Sequence, residues 1–424
     1  MLDLKFIKEN IDLIKNNLKK KFQTDKIALV DSIIKKHQEW IQAKKELDQT
    51  RALRNKLSQE INQLKKQKKD ISRHLDQAKN IPSLIDDLEK RSSLLLEEIE
   101  SIQKKIPNII HTSVPIGKDE TKNKVIKKSG AIPKFKFEIK NHVELIEALG
   151  IGDFDSSALV AGKGFYYLKG KLGLLNQALI RFAIDFMQKK KYTYIEPPLM
   201  VNKEIASAAG DLKAFELALY KIEGEELYLI PTAEHALLGM LSNKVINEKE
   251  LPLKFFGYSM SFRKEIGSHG INEKGLWRTH QFNKVEQFIF CKPEDSHKYY
   301  LELRKNSEEI FQKLKLPYRI LESCTGDLSD WKSKGEDIEV YRPTTKKYEE
   351  VGSLSNCTSY QARELNIRVL KRNGEKRILH TLNNTALATS RVMVAILENY
   401  QQKDGSIKIP AVLQKYIGFK KIEK

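Results

Sequence analysis

Cysteine is scarce in this 424-residue chain. There are three, Cys291, Cys324 and Cys357, and no two form a CxxC pair. Close ligand pairs are the usual sign of zinc, so no zinc is expected, and the thiols read as ordinary ones in a reducing compartment. Long apolar runs are also missing: none approaches the roughly 18–20 residues that cross a bilayer. The opening residues, MLDLKFIKEN, mix both signs of charge and hold no apolar signal core, so a cytoplasmic protein is expected. Glycine-rich phosphate loops are lacking too. The nearest approach, GFYYLKGK at 164–171, has five residues between its glycines where a P-loop has four, and no hydroxyl follows its lysine. No GxGxxG follows a strand pattern and no GxSxG occurs, which excludes two common nucleotide and hydrolase plans.

What is present is length, charge and a division. A chain of this size with 40% hydrophobic residues can bury a sizeable core and form two domains. Lysine and arginine number 75 against 56 acids, a formal charge of +19. Composition alone does not separate a polyanion-binding surface from a coding bias toward lysine, so placement has to decide. Residues 28–106 contain no glycine and one proline. Apolar residues recur there on multiples of seven: Trp40, Leu47 and Ile61; Ala43, Leu57 and Leu64; Ile81, Leu88, Leu95 and Ile102; Ile71, Ile85, Ile99 and Ile106. That spacing predicts a coiled-coil seam. The polar segment KKQKKDIS at 65–72 reads as the tip of an antiparallel hairpin, with arms of about 55–60 Å at 1.5 Å per residue. Asn80-Ile81-Pro82 is a rival turn that would leave the arms unequal, so Pro82 is expected to kink the returning helix. The distal part is basic (RALRNK, KKQKK, Arg73) and the returning helix acidic (DDLE, EEIE), which suits a phosphate backbone read by shape. After Ile106-Pro107 comes a polar linker, and the boundary is placed near residue 112.

Beyond it, four segments carry polar groups that packing does not require: PTAE at 231–234, the stretch from Phe262 to Phe290, YEEVGSLSN at 348–356 and HTLNNTALATSRVMVAILENYQ at 380–401. Together they resemble the class II aminoacyl-tRNA synthetases, and the seryl-tRNA synthetase family in particular. Phe262-Arg263-x-Glu265 resembles the opening of motif 2, and His280-Gln281-Phe282-x-Lys284-Val285-Glu286 its close. Thr389-Ser390-Arg391 with Glu398-Asn399-Tyr400-Gln401 resembles motif 3. The helical pattern from Asn176 to Lys190, running into Ile195-Glu196-Pro197-Pro198, is similar to the motif 1 dimer element. Thr232-Ala233-Glu234 resembles the serine enzymes' TAE loop, and the hairpin their tRNA-binding arm.

The resemblance implies an α+β architecture. An antiparallel helical arm over 1–112 precedes a class II catalytic domain over 113–424, built on an antiparallel sheet flanked by helices. It implies activation of L-serine by ATP and transfer to tRNA(Ser), with tRNA(Sec) a further candidate, in a homodimer with Mg²⁺. Arg263, Arg391 and Glu286 are the expected catalytic residues. Thr232, Ala233, Glu234, Arg263, Glu286, Asn383 and Thr385 are expected around serine. Arg263, Lys264, Glu265, Arg278, Thr279, Phe282, Glu350, Val351, Gly352, Ser353 and Arg391 are expected around ATP, with Phe282 stacked on adenine. Glu350 and Ser353 match the family's metal-ligand positions; Glu349 is a neighbour easily confused with Glu350. No histidine is given a catalytic role.

The chain departs from the commonest pattern in three places. The motif 2 loop has Ile271, Asn272, Glu273 and Lys274 where many relatives have Arg-Asp-Thr-Arg. Motif 3 has Asn384-Thr385-Ala386 for Gly-Ser-Gly. GDLSDWKSKGED at 326–337 also varies, and nothing catalytic is assigned there. Two rival readings are a paralogue that loads a carrier protein, which leaves the basic arm without purpose, and a non-enzymatic nucleic-acid-binding coiled coil, which leaves the four segments unexplained.

Overall fold

The computed structural model describes residues 1–208, 210, 216–266 and 274–424. They divide into two compact units, Leu2–Pro107 and, together with Met1, Asn108–Lys424. His269 and the loop residues Ile271, Asn272 and Glu273 lie outside the described residues.

In the first unit the helix Ile27–Lys66 runs for 40 residues, about 60 Å at 1.5 Å per residue. The chain reverses through 67–71, where Lys68 takes a φ of 53°. It returns as Ser72–Ala78 and Ile81–Lys105. Ion pairs fix the direction: Lys36 meets Glu98 at 2.6 Å and Arg51 meets Glu89 at 2.7 Å, so one index falls as the other rises. Ala43, Leu47 and Leu57 on the outgoing helix and Ile81, Ile85, Leu88, Leu95, Ile99 and Ile102 on the returning one are buried, which is the seam the heptads predict. Pro82 does not kink a continuous helix, as expected from sequence. The returning strand of the hairpin is already divided at Lys79-Asn80, and Pro82 stands in the first turn of the longer piece. An N–H there has no helical acceptor, so its loss costs nothing.

In the second unit an eight-stranded sheet is formed by β1 (Lys124–Ser129), β2 (Thr193–Ile195), β3 (Leu253–Phe262), β4 (Gln281–Cys291), β5 (Tyr318–Glu322), β6 (Lys334–Arg342), β7 (Lys347–Thr358) and β8 (His380–Ala388). The order is β1-β5-β6-β7-β8-β4-β3-β2, and every neighbouring pair is antiparallel except β2 with β3. The helix Gly170–Lys189 buries Leu172, Leu175, Leu179, Phe182 and Phe186, spaced by three and four so that one stripe faces inward. The helix Ser296–Leu314 packs against β8 and β7. Polar pins set its register. Asn384 Nδ2 donates to Leu303 O and Ser307 Oγ, both at 2.8 Å, and Asn306 Nδ2 donates to Gln287 Oε1 at 3.0 Å. Side chains alternate along a strand. With Asn384 turned to this helix, Asn383 and Thr385 point to the opposite face, where the cavity lies.

A bulge completes the arrangement. Between β6 and β7 the pairing steps from Ile338–Gly352 to Glu339–Glu350, leaving Val351 unpaired. Residues three apart on a regular strand face opposite ways; the extra residue brings Glu350 and Ser353 onto one cavity.

Candidate active site

The cavity, of about 420 Å³, opens over β4, β7 and β8, the residues just past β3, and the N-terminal ends of the helices Ala233–Gly239 and Thr389–Asn399. One end collects carboxylates. Thr232 caps the helix it precedes, its hydroxyl accepting from Glu234 N at 3.3 Å. Lys284 Nζ lies 2.6 Å from Glu286 Oε2 and donates to Thr232 Oγ1 at 3.1 Å. Glu234 Oε1 accepts from Gln361 Nε2 and Asn383 Nδ2, both at 2.8 Å. Gln361 is itself held by Thr381, whose hydroxyl donates to its carbonyl oxygen at 2.7 Å. Burial, and then the neighbouring Glu286, push the Glu234 carboxyl up to about 7. A carboxylate held at this cost gains from an incoming cation.

The other end collects arginines. Arg263 Nε donates to Pro231 O at 3.2 Å, and its guanidinium carbon lies 5.2 Å from the centre of the Phe282 ring. Burial, with Arg391 adding to it, lowers the Arg263 pKa from the usual arginine value; the group stays protonated at neutral pH. Arg278 Nη1 donates to Glu265 Oε2 at 2.6 Å. Glu265 itself sits at a φ of 51°, a left-handed turn just past β3. Arg391 donates from Nη1 to Glu350 O at 2.7 Å and Oε2 at 3.2 Å, and from Nε to Trp277 O at 3.3 Å. Burial would raise the Glu350 pKa, but Arg391 and Arg263 outweigh it and hold the carboxyl below its ordinary range. Glu349, the neighbour that sequence could confuse with it, is occupied elsewhere, accepting from Arg342 and Thr345 at 2.9 and 2.7 Å. A Cβ on Gly352 would meet Thr385 Cβ at 3.0 Å, so a larger residue there would push the two strands a few tenths of an ångström apart.

Two of the residues expected from sequence do not line the cavity. Ala233 is fully buried in an apolar cluster beneath it. Lys264 gives its backbone N–H to Ala218 O at 2.8 Å, and its ammonium lies over the Tyr220 ring at 5.7 Å. The others, including Thr279, Val351 and Ser353, all contribute to the lining. His280 is structural, its Nδ1 lying 2.8 Å from Arg263 O and 2.9 Å from Tyr220 Oη.

Sequence reasoning missed several lining groups. Trp277 is flanked by the guanidinium groups of Arg342 and Arg391 at 4.5 and 5.5 Å. Lys284 was quoted in the motif yet given no role. His235 is buried, and neither ring nitrogen has a partner among the described residues. Burial, then Arg263 and Lys284, push its pKa down to about 3, so the ring is neutral at physiological pH. Trp331 and Lys332 come from the segment to which nothing was assigned.

The end of the motif 3 helix serves stability. Glu398 has no exposed side-chain surface and accepts from Arg342 Nη2 at 2.7 Å, Arg342 Nε at 3.2 Å and Thr344 Oγ1 at 2.6 Å. Leu276 N donates to His142 Nε2 at 3.1 Å, which leaves Nδ1 protonated, 3.2 Å from Glu398 Oε1. Burial alone would raise the Glu398 pKa; the bonds from His142, Arg342 and Thr344 outweigh it and hold it at about 2. Folding therefore gains about 3 kcal/mol from this group, fully present above pH 4.5 and lost as pH falls toward 2. Glu398→Gln is expected to cost about 3 kcal/mol in urea denaturation at pH 7, because the ionised carboxylate is lost and buried Arg342 keeps only Glu349 of its two carboxylate partners. The deficit should shrink between pH 4.5 and 2; one that does not change with pH would show that the ionised carboxylate is not the source.

The sheet, the bulged strand and the arginine-lined cavity are those of a class II synthetase core, and comparison agrees. The model of the "tRNA synthetase class II core domain (G, H, P, S and T)" matches residues 216–400, and that of the "Seryl-tRNA synthetase N-terminal domain" matches residues 1–110. Serine--tRNA ligase of Methanocella arvoryzae is 45% identical over 419 residues, 98% of this chain and 99% of that one. The crystal structure of seryl-tRNA synthetase from Pyrococcus horikoshii complexed with ATP superposes with a TM-score of 0.92 at 43% identity, covering 100% of this chain and 99% of the other. Cytoplasmic serine-tRNA ligase from Naegleria fowleri, in complex with AMP, gives 0.86 at 31% identity, again over 100% and 99%. The chain belongs to the seryl-tRNA synthetase family.

Proposed function

We propose that this chain activates L-serine with ATP and transfers it to the 3′ end of tRNA(Ser). The observation that carries the reading is the division of one cavity into a carboxylate end, Glu234 with Glu286, and an arginine end, Arg263 with Arg391. An amino acid and a nucleotide triphosphate need these opposite polarities side by side. Glu234 takes the serine ammonium. Glu286 with Thr232 reads the hydroxyl, and Asn383 and Thr385 close the pocket. Arg263 clamps the carboxylate and the α-phosphate through its planar fork. Phe282 offers its ring to adenine, Glu265 accepts from the adenine amino group, and Arg278 and Arg391 hold the outer phosphates.

No protein nucleophile is needed. The serine carboxylate attacks the α-phosphorus in line, seryl-adenylate forms and pyrophosphate leaves; positioning and fixed charge supply the acceleration. The terminal hydroxyl of tRNA then attacks the carbonyl carbon of the mixed anhydride: the ester bond forms, the bond from that carbon to the phosphate oxygen breaks, AMP leaves with the electron pair and the hydroxyl proton is released. Alanine is rejected because the groups that read the hydroxyl would be left unpaired.

Glu350 and Ser353 suit Mg²⁺ by chemistry: both are hard oxygen donors, and the bulge turns both into the one cavity. When bound, the ion would supply charge neutralisation on the phosphates. The arm, with Arg54, Lys56, Lys65, Lys66, Lys68, Lys69 and Arg73 exposed around its tip, grips the tRNA backbone. A cytoplasmic homodimer through the Gly170–Lys189 element completes the reading. Leu174 on that helix, and Leu199 and Met200 just after the Pro197-Pro198 segment that follows it, are 53%, 41% and 43% exposed. Sedimentation equilibrium should give twice the chain mass, and a monomer would remove this part.

Serine-dependent exchange of labelled pyrophosphate into ATP tests the first step, and charging of purified tRNA(Ser) the second. Exchange driven by another amino acid instead of serine would overturn the reading. The Glu234 titration adds a signature. The carboxylate must be ionised to hold an ammonium, so kcat/KM for serine should fall about tenfold per pH unit below pH 7. In Glu234→Gln that inflection should vanish; an unchanged profile would assign it elsewhere.

A further inference from the structure

Among the described residues, most cations of the cavity are matched to carboxylates: Lys284 to Glu286, Arg278 to Glu265 and Arg391 to Glu350. Two are not. Arg263 donates to a carbonyl oxygen, and Lys332 Nζ donates to the Ser353 hydroxyl at 3.1 Å; neither has a carboxylate at ion-pair distance. Asp337 feels Lys332 and shares the Ser353 hydroxyl, but burial and Glu350 push its carboxyl up to about 7, so it offers only part of a counter-charge. Inside a concave site a cation so weakly matched is costly unless a ligand brings an anion. Arg263 already has an anion in the reading above. Lys332 has none.

Its position says which anion it meets. Lys332 lies on a short turn pinned from both sides. Lys332 N donates to Ser329 O at 3.1 Å, and Ser333 N donates to Asn356 O at 2.8 Å. Asn108 Nδ2 donates to Trp331 O at 3.0 Å and to Cys357 O at 2.8 Å, tying the turn to β7. Along β7, Ser355 pairs with Asn383, which holds Glu234. Ser353 is two residues nearer the other end, about 6.5–7 Å along a strand. Beyond the bulge come Glu350 and Arg391. Lys332 thus reaches in midway between the pocket for the serine ammonium and the arginine end. Its charge is felt at both ends, as one of the smaller influences on Glu234 and on Glu350. Midway is where carboxylate and α-phosphorus must meet.

We propose that Lys332 is a further catalytic residue of adenylate formation, its ammonium donating to a non-bridging oxygen of the nucleotide α-phosphoryl group. This rests on the serine-activating reading. In the step a serine carboxylate oxygen forms a bond to α-phosphorus. The bond from phosphorus to the α,β-bridging oxygen breaks, and its electron pair leaves with pyrophosphate. No proton moves through Lys332; it neutralises charge on the equatorial oxygens as the two ends pass in line.

Calorimetric binding of AMP and of adenosine to the full-length protein tests the contact, because the two ligands differ by the phosphate alone. Lys332→Ala should weaken AMP about tenfold and leave adenosine within twofold, while the exchange rate falls by about 10²-fold. Lys332→Arg should restore part of both. Equal weakening of AMP and adenosine, or none of AMP, overturns the proposal. A role confined to holding the Ser353 hydroxyl is separated by the double variant. Adding Lys332→Ala to Ser353→Ala should still weaken AMP about tenfold, and no added loss overturns the direct contact. Wild-type protein that shows the AMP pattern but no serine-dependent exchange would overturn the serine reading and leave the phosphate contact standing.

Discussion

Arg263→Ala will lower serine-dependent pyrophosphate exchange by at least about 10³-fold while the fold persists. Removing one preorganised donor from a reacting oxyanion costs about 10²–10³-fold in other enzymes. Arg263 is expected to exceed that because it serves two anions at once, and repulsion between them would otherwise keep them apart. The stability cost should be small. Its described bonds are one to Pro231 O and a cation–π contact with Phe282, with no buried carboxylate left unpaired on its loss. The measurement is exchange against the melting temperature of the same sample. A variant that unfolds early says nothing of phosphate, whereas an intact variant with more than a tenth of the activity contradicts the assigned clamp.

The second large effect concerns the arm. Replacing residues 49–90 by a short Gly-Ser turn should leave exchange within twofold of the full chain and lower the charging of tRNA(Ser) by at least about 10²-fold. The cut removes the basic tip but keeps the lower hairpin, where Lys36 and Glu98 pair at 2.6 Å. The salt dependence of tRNA affinity should flatten as well, because fewer counterions are released when fewer phosphates are gripped. Unaltered charging would show that the arm does not hold tRNA; lost exchange would show that the two units do not act separately.

Local patterns carried well from sequence to structure, and long-range ones did not. Ile81, Leu88, Leu95 and Ile102 declare a seam because heptad spacing is a property of neighbouring turns, and all four are buried. Pro82 was misjudged because the pattern does not reveal where a helix begins: the same residue breaks an interior turn and opens a first one. The strand order could not be read at all, since β8 lies between β7 and β4 through contacts distant in the chain. In the site, Arg263, Glu234 and Arg391 were found through motif resemblance, and they meet in one cavity. That Glu350 and Ser353 share a face depends on a bulge at Val351 that no alternation rule anticipates. Lys332 escaped for a related reason. It reaches the cavity from a turn outside the sheet, and nothing in WKSKG distinguishes a lysine aimed inward from one aimed at water.

The account rests on an amino acid and a nucleotide being held by opposite ends of a single cavity. A crystal grown with a non-hydrolysable seryl-adenylate analogue tests this most directly. The ammonium should lie within hydrogen-bond distance of Glu234, and the phosphoryl mimic within the same distance of Arg263, with Lys332 on its other side. An analogue bound elsewhere, or one whose phosphoryl mimic points away from both cations, would contradict it.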